Sequence, residues 1–365
     1  MKRKSEHAAA RVARARRAGT SKLLAVKRHS DASRMKKGRD ASPRRPRAVP
    51  RSAKPAAFTP GLIDAHTHRY PPEIFADPAG WARARGEKHW AALVGPRADG
   101  RRSLQGWADR EQMLRAMDAA GIERCVLLGW YWEHHETCVW HNQWMARWVR
   151  EDPDRFSAFA SVQPRAEAAA LEDLQRARDA GLCGIGEVFP AAQGFAMNDP
   201  HWERILAWAA VQKWPVNLHV PEPAGRHYPE HIAAPLRDYQ KLARAHPQVT
   251  FIFAHWGGLL PLHMLNAEVR RDLANVYFDT SASPLLYAPQ VYRQVADAVG
   301  ADRILFGTDY PLRVFPRDQI EPDFVRPLAE ARGAGLTTTE LAKILGGNAR
   351  RVLQLQPSTK ARPQA

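Results

Sequence analysis

From Gly61 onward two patterns alternate, and this alternation limits the fold more than any other feature of the chain. Short runs rich in β-branched and aliphatic residues recur eight times: GLIDAHTH (61–68), RCVLLGW (124–130), RFSAFASVQP (155–164), CGIGEVFP (183–190), PVNLHVP (215–221), VTFIFAHWGG (249–258), NVYFDTSAS (275–283) and RILFGTDYP (303–311). Between them lie segments with an apolar residue every three or four positions and a Gly or Pro stop. DREQMLRAMDAAG ends on Gly121, and DPHWERILAWAAVQKW ends before Pro215. The first pattern reads as strands buried on both faces, as in parallel sheets, and the second as amphipathic helices. Eight βα units in about 300 residues predict a (β/α)8 TIM barrel over residues 58–356. An open doubly wound sheet is the alternative, but its Gly-rich phosphate turn after the first strand is missing from GLIDAHTH.

The formal charge of +16 suggests nucleic acid until it is located. Residues 1–57 hold 19 Lys+Arg against 3 Asp+Glu, so the whole excess lies in this segment and the barrel is balanced. The segment is rich in Arg, Ala, Ser and Pro, with too little apolar content for a core, and is expected to be a disordered, dispensable basic arm. A weak nucleic-acid or lipid contact, a targeting segment, or a true start at or beyond Met35 are the other readings. Residues 357–365 are expected to be a disordered tail. Three cysteines, Cys125, Cys138 and Cys183, without CxxC spacing, argue against a disulfide framework or thiolate zinc site. They point to a reducing, cytoplasmic setting. No apolar stretch approaches the ~18 residues of a membrane span.

Active sites of such barrels form at the C-terminal strand ends. In LIDAHTHRYPP, His66 and His68 are two residues apart and project side by side from the first strand. The fourth strand supplies Glu187, the fifth His219, the sixth His255 and the eighth Asp309. A single strand-end His is as often a core residue bonded to a carbonyl, and Glu187 alone as often an ion-pair partner. The recurrence on five strands favours a metal site: His66, His68, His219 and Asp309 offer three nitrogens and an oxygen, suited to one Zn²⁺. Arg69 and Arg313 are candidates for holding a substrate carboxylate. His134, His135 and His141, in the polar stretch WYWEHHETCVWH, read as surface or lid residues. The loop 69–106, with Trp81 and Trp90, and the loop 130–141 are long enough for lids or binding loops.

The order HxH, His, His, Asp on strands one, five, six and eight resembles the amidohydrolase superfamily. IDAHTH, PDRFSAFASVQP, HWGG, ILFGTDYP and ILGGNARRVLQL resemble its amidohydrolase-related branch, which includes the aminocarboxymuconate-semialdehyde decarboxylase-like enzymes. The resemblance covers residues 61–355. It implies that His66, His68, His219 and Asp309 bind the metal, and that His255 activates or orients water. Many binuclear relatives carry a bridging carbamylated lysine on strand four; here Glu187 stands there. One divalent metal is therefore the expectation, with Mn²⁺ or a second metal, bridged by Glu187, as alternatives.

A divalent metal lowers the pKa of bound water to about 7. With His255 and Asp309 as catalytic groups, the expected activity is hydrolysis of an amide, lactone or ester of a small organic acid. The alternative is metal-dependent, non-oxidative decarboxylation of an unsaturated or aromatic acid, and a third reading is an inactive barrel acting as a basic-armed binding protein. The expected partners are a small-molecule substrate and, in a homodimer, a second copy.

Overall fold

The computed structural model describes residues 61–96, 100, 102–225 and 231–355. The basic arm and the C-terminal tail lie outside the described residues. Eight parallel strands appear in the predicted places: β1 Leu62–Thr67, β2 Ile122–Leu127, β3 Phe156–Ala158, β4 Ile185–Val188, β5 Val216–Leu218, β6 Phe251–Phe253, β7 Val276–Asp279 and β8 Ile304–Leu305. They pair in order as β1-β2-β3 and β4-β5-β6-β7-β8. Two single bridges, Ala160 with Ile185 and Thr67 with Tyr310, join these sheets at both seams. Ala65 N–H to Phe306 O (2.7 Å) and His68 N–H to Tyr310 O (2.6 Å) strengthen the β8–β1 seam. The sheet therefore closes into a TIM barrel.

Alternation along the strands separates two apolar layers. Leu127, Phe251, Phe253, Phe278 and Ile304 pack with Met113, Trp148, Leu174 and Trp202 of the helices in the outer layer. Val126, Leu128, Ile252 and Leu305, from intervening positions, form the interior with Ile63 and Phe159, joined by Ala349 of the last helix, Asn348–Val352, and by Leu353 just after it.

Local chemistry explains the helix limits. Helix Arg110–Ala120 starts at a capping box, Asp109 accepting from Gln112 N–H while the Gln112 side chain accepts from Asp109 N–H, and stops at Gly121, whose φ is 72°. The helix after β2 runs His135–Glu151, so most of the supposed 130–141 loop is its first turns. The 69–106 segment holds short helices Pro78–Ala84 and Lys88–Val94. Its Tyr70, Trp81 and Trp90 pack with Trp130, Trp132 and Trp140 of the next segment. Buried Glu87 also ties the two together, accepting from Glu133 N–H (2.7 Å) and His134 N–H (3.2 Å). Among the described residues no helix is long and apolar enough to cross a membrane.

Candidate metal centre

The C-terminal strand ends bring six of the predicted residues together as two trios, His66–His68–Asp309 and Glu187–His219–His255. In the first, His66 Nε2 lies 3.3 Å from His68 Nε2, and Asp309 Oδ1 lies 3.8 and 3.4 Å from those nitrogens. In the second, Glu187 Oε1 is 2.9 Å from His219 Nδ1 and 3.4 Å from His255 Nε2, which are 3.1 Å apart. His219 thus falls in the second trio, whereas the sequence grouped it with His66, His68 and Asp309.

Hydrogen bonds behind the imidazoles set their tautomers. His66 Nδ1 faces Asp279 Oδ2 (2.8 Å), His68 Nδ1 faces Leu128 O (3.2 Å), and His255 Nδ1 faces Ser281 O (3.2 Å). An acceptor at Nδ1 requires the proton there, which leaves Nε2 as a lone-pair donor into the site. With both rings neutral, two lone pairs face each other across 3.3 Å between His66 and His68, an arrangement relieved by positive charge there, either a proton on His66 or a cation. A cation about 2.0–2.2 Å from each donor sets donor–donor separations of about 3.0–3.6 Å. In the first trio the 3.3 and 3.4 Å separations fall within that range, and the 3.8 Å between His66 Nε2 and Asp309 Oδ1 lies just above it.

The electrostatics agree. Burial alone would pull His66 down, but Asp279, Glu187 and Asp309 push it up to about 10. Burial would raise Glu187, Asp279 and Asp309, yet the surrounding imidazoles hold all three below the ordinary carboxylate range. His255 is raised, Glu187 outweighing its burial, and His219 is lowered because burial outweighs Glu187. Positive charge at this position, on the imidazoles or on a cation, keeps the three buried carboxylates ionised.

Asp279, at the end of β7, was not singled out by the sequence reading and links the two trios. Its Oδ2 accepts from His66 Nδ1–H and Asn217 (3.0 Å), and its Oδ1 accepts from His255 N–H (3.2 Å) and the Ser281 hydroxyl. The signal was present: NVYFDTSAS ends an apolar run on an acid, as the fourth and eighth strands do. His255 opens a left-handed turn in which His255, Trp256, Gly257, Gly258 and Leu259 all have φ between 55° and 64°. Asp309 is also left-handed, with φ 67°. Such strain concentrates at sites whose geometry it serves.

The two arginines are not brought to the trios. The Arg69 guanidinium lies 4.4 Å from the Trp148 ring centroid and 5.6 Å from that of Phe156, in the layer between strands and helices. Burial lowers it to about 10. Arg313 donates from Nη2 to Ser103 O and from its backbone to Leu104 O, holding the 69–106 segment. His134 is exposed and His135 partly so, but His141 is fully buried. Aromatic rings pack against the site instead. Phe189 and Tyr131 lie 4.7 and 5.3 Å from His219, and Trp130 lies 5.4 Å from His68 and stacks on Tyr131 at 4.2 Å. His219, with 15% of its side chain exposed, is the most open of the six.

The fold is shared with several solved structures. The 5-carboxyvanillate decarboxylase of Sphingomonas paucimobilis is 16% identical, with a TM-score of 0.63 over 81% of this chain and 99% of that one. A 2,6-dihydroxybenzoate decarboxylase bound to 2,6-dihydroxybenzoate is 23% identical, with a TM-score of 0.58 over 81% and 100%. A dihydroxybenzoic acid decarboxylase from Polaromonas, solved with manganese and 2-nitroresorcinol, is 20% identical, with a TM-score of 0.59 over 81% and 97%. A family model described as amidohydrolase matches residues 63–355. With HxH, His, His and Asp at the ends of strands one, five, six and eight of a closed barrel, the chain belongs to the amidohydrolase family, in its amidohydrolase-related branch.

Proposed function

We propose that the protein is a metal-dependent, non-oxidative decarboxylase of an unsaturated or aromatic carboxylic acid. The observation that carries this reading is the packing of Trp130, Tyr131 and Phe189 directly against the imidazoles of the site. Flat apolar walls beside a charged cluster fit a planar, conjugated acid and exclude water. Loss of water around a carboxylate favours its departure as CO2, whereas hydrolysis needs room for an attacking water. The decarboxylase activities named for the structural relatives support the same choice over hydrolysis.

His66, His68 and Asp309 would hold the cation, with Glu187 Oε2 at 4.0 and 3.8 Å from the two imidazole nitrogens. A donor set of imidazoles and carboxylates suits Mn²⁺ as well as Zn²⁺. When bound, the cation supplies positive charge that orients an acid oxygen and stabilises charge on the substrate. The aromatic walls orient the ring or diene. When the carbon–carboxylate bond breaks, its electron pair stays on carbon, CO2 leaves, and that carbon takes up a proton. Asp309, ionised and at the end of β8, would take that proton from solvent and pass it on. Asp279 acts through His66 and His255 by fixing their orientation.

The test is a panel of phenolic and unsaturated carboxylic acids, with lactones and amides beside them, incubated with metal-loaded protein in D2O or ¹⁸O-water. Release of CO2 with one deuterium at the vacated carbon is expected. Turnover confined to lactones or amides, with ¹⁸O entering the new carboxylate, would replace this reading with hydrolysis.

A further inference from the structure

We propose that Asp64 is a positioning residue that aims the Asp309 carboxylate at the first trio, acting through the Thr308 hydroxyl. This goes beyond the reading above and rests on it for the cation at His66, His68 and Asp309. Asp64 stands two residues before His66 on β1 and is fully buried. Both of its oxygens are engaged. Oδ1 accepts from His66 N–H (3.1 Å) and Thr308 N–H (3.2 Å), and Oδ2 accepts from the Thr308 hydroxyl (2.6 Å).

Regular pairing does not set this part of the site. The β1–β2 register shifts between Asp64 and Thr67, and β8 stops at Leu305, well before Asp309. Hydrogen bonds radiating from Asp64 take over. The Thr308 hydroxyl accepts from Tyr310 N–H (3.1 Å), and Asp309 N–H donates to His66 O (2.9 Å). The N–H groups of Thr308 and Asp309 are therefore held directly by β1, and that of Tyr310 is held through Thr308. Between these fixed neighbours Asp309 keeps φ at 67°, a conformation that costs a residue with a Cβ roughly 1–2 kcal/mol. Relaxation to extended backbone would carry its side chain in another direction.

Closing the barrel does not by itself call for an acid here. The seam already has Ala65 N–H on Phe306 O and His68 N–H on Tyr310 O. An apolar side chain would fill the position without the cost of burying a carboxyl group. What the carboxyl group adds is selection: all three of its donors belong to His66 or to Thr308, the neighbour of Asp309. One side chain thus governs two of the three groups that would hold the cation, the pair with the widest separation in the trio, 3.8 Å. Thr308 is itself buried and lies outside the trio.

The test is Co²⁺ binding read by visible absorption. Metal-free full-length protein is titrated with Co²⁺, whose d–d bands follow the number and geometry of its ligands. Thr308→Val keeps the shape and removes the hydroxyl. It should weaken Co²⁺ binding at least ~10-fold and move the bands toward those of Asp309→Asn. Thr308→Ser, which keeps the hydroxyl, should restore the wild-type affinity and bands. Asp64→Asn, which offers Thr308 an amide in place of an acceptor oxygen, should behave as Thr308→Val, and if it fails to fold the two Thr308 variants decide. Wild-type affinity and bands in Thr308→Val would overturn the assignment. Weaker binding with unchanged bands, the mark of a merely structural role, would do the same, as would a Thr308→Ser that behaves like Thr308→Val. No Co²⁺ on the wild type would overturn the cation at the first trio and this inference together. The readout needs no substrate, so an absence of decarboxylation bears on the reaction and not on this result.

Discussion

His141 offers a direct test of how the end of β1 that carries His66 and His68 is held. The helix His135–Glu151 carries it inward, where Trp132 Nε1–H donates to its Nδ1 at 2.9 Å. Its Nε2–H donates to Arg69 O at 3.2 Å, one residue beyond His68. The ring is therefore neutral, and a second proton would place N–H against N–H at Trp132. Burial accordingly pulls the imidazole from 6.5 down to about 4, against the pull of the Arg69 carbonyl.

A folded pKa below the unfolded one means that the unfolded chain takes the proton first as the pH falls. The stability linked to His141 is fully present above pH 6.5, is lost progressively below it, and is gone below about pH 4. At 1.36 kcal/mol per pKa unit, the full loss is ~3 kcal/mol, and ~2 kcal/mol of it is reached between pH 7.5 and pH 5. His141→Gln keeps an acceptor for Trp132 and a donor for Arg69 O but cannot titrate. Urea unfolding of the metal-free proteins at the two pH values isolates the effect, because every other titrating group is common to both. Wild type should lose ~2 kcal/mol more than the variant over this interval. Parallel losses in the two proteins would refute the assignment of a neutral, proton-refusing His141.

Asp279→Asn should lower metal affinity 10–100-fold by releasing the orientation of His66 and His255, measured by competition with a chromogenic chelator. Stripping the metal with a chelator should abolish turnover and, at a starting free metal concentration of 100 Kd for one site, remove ~2.7 kcal/mol of stability on denaturant unfolding. Gly257→Ala should destabilise by roughly 2–3 kcal/mol in the same assay, since its φ is 55° and the added Cβ would meet the Phe278 ring at 2.9 Å. Asp309→Asn should cut kcat at least ~100-fold while leaving the fold intact by circular dichroism.

The strands and the clustered polar residues at their ends were legible for one reason: a parallel barrel leaves a coarse, repeated imprint, and the chemistry of a strand-end site restricts residue type. His66, His68, Glu187, His219, His255 and Asp309 each follow an apolar run, so their common level could be read without coordinates. Relations across the barrel could not. Asp279 and His66 are 213 positions apart, and only closure of the sheet shows that one carboxylate serves both trios. The division into two trios had the same origin: residue types do not reveal which imidazole nitrogen turns toward which oxygen. Arg69 was misread against a rule already in hand. If His66 and His68 face the site, alternation sends the intervening and following side chains elsewhere. The structure duly places Arg69 against Trp148.

The sixth strand shows a different kind of illegibility. VTFIFAHWGG reads as one continuous strand, and Phe251–Phe253 is all of it that pairs. The chain then turns left-handed for five residues, of which only Gly257 and Gly258 do so without steric cost. For His255, Trp256 and Leu259 each such residue costs roughly 1–2 kcal/mol, which no local propensity repays. Tertiary contacts offset it. Trp256 is fully buried, its ring lies edge-on to Tyr292 at 4.9 Å, and its Nε1–H donates to Ser283 at 2.9 Å. The glycines permit close approach to Phe278 and Leu236 that any side chain would obstruct. What the turn secures is the direction of His255: its backbone N–H reaches Asp279, its Nδ1 reaches Ser281 O, and its Nε2 is left facing Glu187 and His219. A strand continued through this position would lack the bend that makes all three contacts, so the strain is part of how the site is built.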